Sequence, residues 1–210
     1  MALFTRRVHV IGASVIGGLV LAVATLHGAV SRQQADAFAR KLAIIEQHGN
    51  SVRSASQGAS AQARRTPVSE DELNSWFAYR AQPVLPQGIT EPRLTIVGNG
   101  KVMGVATVDL EAIAKKKSTG GAFDPWSLLG GRVPVTVSGV LQTEDGRGRF
   151  ELQSADVSGV PVPKSILQEL VSYYSRTPDH PQGVRLDDPF ELPANIQKIE
   201  VGQGQAVVVQ

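Results

Sequence analysis

Between Val8 and Val30 the chain runs for 23 residues without Asp, Glu, Lys or Arg, and most of these positions are Val, Ile, Leu, Ala or Gly. About 20 apolar residues suffice for a helix to cross the hydrocarbon core of a bilayer. This run therefore decides which side of a membrane is open to everything that follows it. Arg6 and Arg7 lie just ahead of it, and basic residues on the short flank keep that flank in the cytoplasm. The expectation is a single-pass protein of the bacterial cytoplasmic membrane with its C-terminal part extracytoplasmic, in the periplasm. A cleavable signal begins in the same way, and Ala22-Val23-Ala24 and Ala35-Asp36-Ala37 both fit the small-x-small cleavage pattern. The apolar run exceeds the roughly 7–15 residues of a signal core, so a retained anchor is the favoured reading. Thr5-Arg6-Arg7 describes an ordinary anchor as well as a twin-arginine signal, and His9 and His27 sit near the ends of the span, where interfacial water solvates them.

Some 180 residues follow the anchor, about the size of one domain with a core plus a tether. The chain has no cysteine, so disulfides, thiolate metal sites and cysteine nucleophiles are not available to it. Its sequence pI near 9.0 comes from the N-terminal third. Residues 1–65 hold eight Lys/Arg against two Asp/Glu, whereas residues 66–210 hold thirteen against seventeen. A nucleic-acid-binding domain concentrates basic charge on its folded face, and this distribution speaks against one. A basic juxtamembrane segment suits anionic lipid head groups instead.

Three parts are expected: a transmembrane anchor or signal at 1–30, a basic helical and flexible tether at 31–65, and an extracytoplasmic α+β domain at 66–210. Ala35, Phe38, Leu42 and Ile45 recur at helical spacing, with His48-Gly49-Asn50 as the expected stop. Residues 50–65 read as a flexible spacer because they offer little apolar surface to offset ordering entropy. Ser69 with Glu72 forms a capping box for a helix over about Glu70–Arg80, which Pro83 and Pro86 end. Period-two alternation then marks three hairpins. The first runs from Arg93 to Leu110 around Gly98-Asn99-Gly100, the second from Val133 to Leu152 around Glu144-Asp145-Gly146-Arg147, and the third from Ile196 to Val209 around Gly202-Gln203-Gly204. Ile166, Leu167, Leu170, Val171 and Tyr174 make one apolar face on a helix over about Pro163–Ser175. About six antiparallel strands must bury one face, and this amphipathic helix is the expected cover. The Gly-rich stretch 115–131, with Phe123, Trp126, Leu128 and Leu129, reads as an irregular crossover.

Catalytic constellations are lacking. No G-x-S-x-G surrounds a serine, and Ser158 reads as a strand-end residue. No H-E-x-x-H or EF-hand spacing supports a metal, and Gly98-Asn99-Gly100-Lys101 is a hairpin turn rather than a phosphate loop. A hydrolase built on Asp187, Asp188 or His180 would need those loops to meet in a polar cleft. Adjacent carboxylates before Pro189 more simply form a solvated turn. The expectation is therefore a non-enzymatic protein with no cofactor.

Several motifs, taken in order, resemble the LmeA-like (DUF2993) group of bacterial envelope proteins, related to tubular lipid-binding, TULIP-like folds. They are Ser-Glu-Asp-Glu-Leu-Asn at 69–74, Val135-Thr136-Val137-Ser138-Gly139, Arg149-Phe150-Glu151-Leu152, Val157-Ser158-Gly159-Val160-Pro161-Val162-Pro163 and Leu192-Pro193-Ala194-Asn195-Ile196. The resemblance spans Ser69 to the C-terminus. It implies a strongly curved sheet wrapped round a helix, with acyl chains held inside and attachment to an envelope membrane. A phospholipid or related amphiphile is then the expected partner. Ile166, Leu167, Leu170, Val171 and Tyr174 would line one wall of an apolar groove, opposed by Val135, Val137, Phe150 and Leu152, while Lys115, Lys116 and Lys117 would meet head groups or the membrane surface. In the alternative reading the same residues form a closed core, and the domain is an interaction module for an envelope protein partner.

Overall fold

The computed structural model describes residues 30–54, 63–109, 111–112, 131–176 and 181–210, the side chains of residues 52–54, Leu170, Tyr173 and Tyr174 excepted. The expected span therefore lies outside the described residues up to position 29. Among those described, no helix is long and apolar enough to cross a membrane.

Helix α1 (Arg32–Ser54) carries the expected apolar stripe but does not stop at His48-Gly49-Asn50. Gly49 is there for a close approach rather than as a breaker, because a β-carbon at this position would collide with the carbonyl group of Ala194. One turn earlier, Ile45 is 4% exposed and joins Leu192 and Ile196 in a buried cluster that Ala194, Ile199 and Val208 complete. Residues 32–54 thus belong to the folded body and are not a tether. Of the expected spacer, residues 55–62 lie outside the described residues. The cleavage pattern at 35–37 falls inside α1, with Ala35 fully buried.

Helix α2 (Glu70–Tyr79) starts as its capping box requires: the Ser69 hydroxyl accepts from the Glu72 N–H at 3.2 Å and the Glu72 carboxylate accepts from the Ser69 N–H at 3.0 Å. Lys41 of α1 reaches the same carboxylate at 2.7 Å. Burial alone would raise the Glu72 pKa. The hydrogen bonds from Lys41 and Ser69 and the Lys41 charge outweigh burial and hold the group below the ordinary carboxylate range. The two helices run antiparallel. Phe38 meets Trp76 edge-on at 5.7 Å, Arg32 stacks over the Tyr79 ring at 5.4 Å, and buried Ser75 donates to Gln34 while accepting from the Ser31 N–H.

The strands divide between two sheets rather than forming one. Strands β2 (Ile89–Gly98), β3 (Lys101–Asp109), β4 (Arg132–Glu144), β5 (Arg147–Val157) and β6 (Val160–Pro161) follow one another in a meander, and β7 (Phe190–Glu191) pairs with β5, giving a six-stranded antiparallel sheet. Its tight turns, Asn99-Gly100, Asp145-Gly146 and Ser158-Gly159, all have positive φ at both residues, the conformation that two-residue hairpins need. Ser158 is therefore a turn residue. The third hairpin, β8 (Lys198–Val201) and β9 (Gln205–Val209), joins β1 (Arg65–Ser69) in a separate sheet ordered β1-β9-β8. Pro67 lies in β1 because that strand is at an edge. Helix α3 (Lys164–Ser175) has β5, at one margin of the large sheet, as its principal strand contact.

Side chains of α2 join the two sheets. Asn74 accepts from the Leu94 N–H and donates to the Leu94 carbonyl, both at 2.8 Å, and Glu70 accepts from the Ile96 N–H at 2.7 Å. The Ile96 carbonyl accepts from Gly204 of the β8–β9 turn at 2.8 Å. Edge strand β2 is thereby occupied by a helix and a turn instead of being left as a template for pairing. Asn74→Ala removes both bonds to Leu94 and should cost about 1–3 kcal/mol in urea unfolding. Asn74→Asp, which keeps the acceptor, should lose less.

In the small sheet, Glu200 receives Arg65 from β1 and Lys198 at 2.7 Å. Hydrogen bonds from Arg65 and then Lys198 lower its pKa to about 2. A depressed carboxylate contributes stability above its unfolded pKa and loses it as pH falls through the folded value. The contribution of Glu200 should therefore fade from about pH 4.5 to about pH 2. Glu200→Gln should be less stable than the parent at neutral pH, and the gap should close across that window in thermal melts.

Candidate functional site: the apolar face of the large sheet

Register and alternation separate the side chains of the six-stranded sheet into two faces. Val102 is opposite Gly139, Gly104 opposite Val137, Ala106 opposite Val135 and Val108 opposite Val133. Across the next pair, Val135 faces Val157, Val137 faces Ala155, Gly139 faces Leu152 and Leu141 faces Phe150. On β2, Ile96, Leu94 and Ile89 continue the same face. Every charged residue at a paired position, from Arg93 and Lys101 through Arg147, Arg149, Glu151 and Asp156, projects from the other face. At the Thr143↔Gly148 row the apolar face meets one polar side chain, and the Thr143 hydroxyl is bonded to both the N–H and the carbonyl of Ile199.

A bulge makes this segregation possible. The β4–β5 register slips by one residue between Ser138↔Ser154 and Gly139↔Leu152, leaving Gln153 unpaired. Apolar positions on β5 accordingly switch from odd (Val157, Ala155) to even (Leu152, Phe150) while staying on one side. The expected wall residues Val135, Val137, Phe150 and Leu152 are thus brought onto a common face.

That face is only partly covered. Val135, Val137, Leu141, Phe150 and Leu152 are all half-buried, as are Val102 and Val108, and full burial is reached at few positions, Ile96 and Ala155 among them. Two phenyl rings lie across glycines. A β-carbon on Gly139 would approach the Phe150 ring to 2.5 Å and one on Gly148 the Phe190 ring to 2.6 Å. These rings fill space close to the backbone instead of closing the face over.

The two ends of the face differ. At one end the β8–β9 hairpin and the 192–197 turn close it, through bonds from Gly100 to Val201, Gly146 to Gln197 and Leu192 to Gly146. At the other end are Ile89, Val108, Val133 and Val157, the β6 turn and the start of α3. The polar stripe of α3 is taken up by a single loop: Gln168 accepts from Leu186 at 2.8 Å, Ser175 accepts from Val184 at 2.6 Å, and Lys164 meets Asp187 at 2.8 Å. Gly183 makes this fit possible, because a side chain there would strike the Ser172 carbonyl. Ile166, Leu167 and Val171 are half-buried. The side chains of Leu170 and Tyr174 lie outside the described residues, as do Lys115, Lys116 and Lys117.

The polar candidates do not assemble. Asp187 is engaged by Lys164, whose hydrogen bond holds its pKa low, and Asp188 has Arg185 at 3.8 Å. His180 lies outside the described residues. Among those described, no group of His, Asp and Glu is placed to hold a metal ion. A recess of about 240 Å³ beside Asp145, Arg147, Glu191 and Asn195 lies at the closed end, away from the apolar face. No family model matches the chain, and a search of curated proteins finds no match.

Proposed function

We propose that this is a membrane-anchored, extracytoplasmic lipid-binding protein that holds phospholipid acyl chains against the apolar face of its six-stranded sheet. The observation that carries the proposal is the segregation just described: a face built from four long strands, free of charge at every paired position and only half-buried. Contiguous apolar surface of this kind on a folded domain marks a site for a ligand, partner or membrane. An acyl chain fits it chemically. Each methylene leaving water contributes about 0.8 kcal/mol, so binding needs area and no particular polar group. The order of motifs from Ser69 onward supports the same reading through its likeness to LmeA-like proteins, in which the sheet would curve about the ligand in a TULIP-like manner. Transfer or maintenance of envelope lipid is the role such a carrier would serve.

Photolabelling tests this directly. Full-length protein in nanodiscs is irradiated with a phospholipid bearing a diazirine on its acyl chain, and the labelled peptides are mapped. Label on β3, β4 and β5 at Val102, Val137, Leu141 or Leu152 is expected. Label confined to residues 8–30 would overturn the proposal and favour an interaction module covered by a protein.

A further inference from the structure

We infer that the end of the apolar face at Ile89, Val108 and Val133 is held directly against the bilayer, with no flexible tether between anchor and domain, so that lipid enters along the strands from that end. The inference deepens the proposed function and rests on Val8–Val30 being a membrane anchor.

Chain direction carries it. The Ser31 N–H already donates to the Ser75 hydroxyl at 3.1 Å, so the folded body begins one residue after the apolar run ends. From there α1 and α2 are antiparallel, which puts the first turn of α1 beside the last turn of α2, with Arg32 over Tyr79 and Arg80 paired with Asp36. Helix α2 is in turn antiparallel to β2: Glu70 meets Ile96 and Asn74 meets Leu94. The C-terminal end of α2 therefore lies at the Ile89 end of β2. That is the end where Ile89↔Val108 and Val108↔Val133 make the last rows of the sheet and the Asp109 N–H donates to Gly88. The point at which the chain leaves its apolar run and the Ile89–Val133 end of the apolar face are one place.

Surface composition at this end agrees. Val84, 68% exposed in the segment that leads into β2, Val160, 65% exposed in β6 where it pairs with Val157, and Tyr79, 47% exposed beneath Arg32, belong to the segments at this end. Exposed aliphatic groups with an amphipathic aromatic and arginines suit a head-group boundary. At the far end, Asp145 and Gln203 occupy exposed hairpin turns, and the exposed apolar groups there, Val97 and Phe190, are less exposed than Val84 and Val160. A bilayer is the occupant this arrangement fits, because the anchor brings it to that end and no other.

Because the chain has no cysteine, single-cysteine variants place a nitroxide at chosen sites on the full-length protein in phosphatidylglycerol-containing nanodiscs. Power saturation with oxygen and a water-soluble nickel chelate then reads depth. Labels at Val84→Cys and Val160→Cys should shift to oxygen-dominated accessibility, and those at Asp145→Cys and Gln203→Cys should remain nickel-dominated. All four are exposed positions, and circular dichroism checks that each variant is folded. Reversed depths, or nickel-dominated accessibility at all four sites, would overturn the inference. Acyl photolabelling of the same samples separates the two ideas: a labelled face with reversed depths removes the orientation and leaves lipid binding, and an unlabelled face with the expected depths does the opposite.

Discussion

Gly49→Ala should destabilise the protein by about 1–3 kcal/mol, the usual cost of forcing atoms into a packed contact. In an open helix the same change is favourable by about 1 kcal/mol, since alanine is the better helix former. The sign is decided by the neighbour. A methyl group at position 49 runs into the backbone carbonyl of Ala194, and a backbone cannot swing aside as a flexible side chain can. Room is further limited by Gln210, whose amide nitrogen donates to Ile45 at 2.8 Å and to Ala194 at 2.7 Å, holding helix and turn together. Ile45 and Ile196 lie in the same contact, so the strain falls on a buried hydrophobic cluster. A midpoint shift to lower urea concentration with an unchanged slope would confirm the sign. A stabilised Gly49→Ala protein would mean that α1 is not docked.

Val137→Asp should leave the domain folded and reduce acyl photolabelling by about tenfold or more, because a charge in apolar surroundings costs several kcal/mol unless it is paired. Val137 lies near the middle of the apolar face, with Gly104 and Ala155 as its cross-strand neighbours. On a half-covered face the carboxylate reaches water once no lipid is present, so the stability of the lipid-free protein should fall by about 1 kcal/mol. In a closed core the same charge would unfold the domain. Thermal melts of lipid-free protein, measured beside the labelling yield, therefore distinguish an open face from a closed core.

Much of this face is legible from residues alone. Asn99-Gly100 and Asp145-Gly146 fix two hairpins, and Val135, Val137, Phe150 and Leu152 are selected by alternation even though a bulge lies between their strands. That bulge itself can be read in the shift of apolar parity between Ala155 and Leu152. Other features depend on contacts distant in sequence. The β8–β9 hairpin is evident locally, but its partner is β1, more than a hundred residues away, and Pro67 disguises β1 as a lead-in to α2. Gly49 looks like a helix stop because nothing nearby in sequence announces Ala194. The stripe Ala35, Phe38, Leu42, Ile45 gives the helix α1, while its docking depends on Trp76, Leu192 and Ile196. For α3 the apolar stripe is plain, yet the loop from Gly183 to Asp187 occupies its polar side and places it along β5.

The most direct measurement of lipid binding is native mass spectrometry of the full-length protein, released gently from nanodiscs, with extraction and identification of whatever remains bound. A mass increment equal to about one phospholipid per chain, retained by the parent and absent from Val137→Asp, is the predicted result. A bare chain mass for both proteins, unchanged after incubation with phospholipid vesicles, would contradict the account.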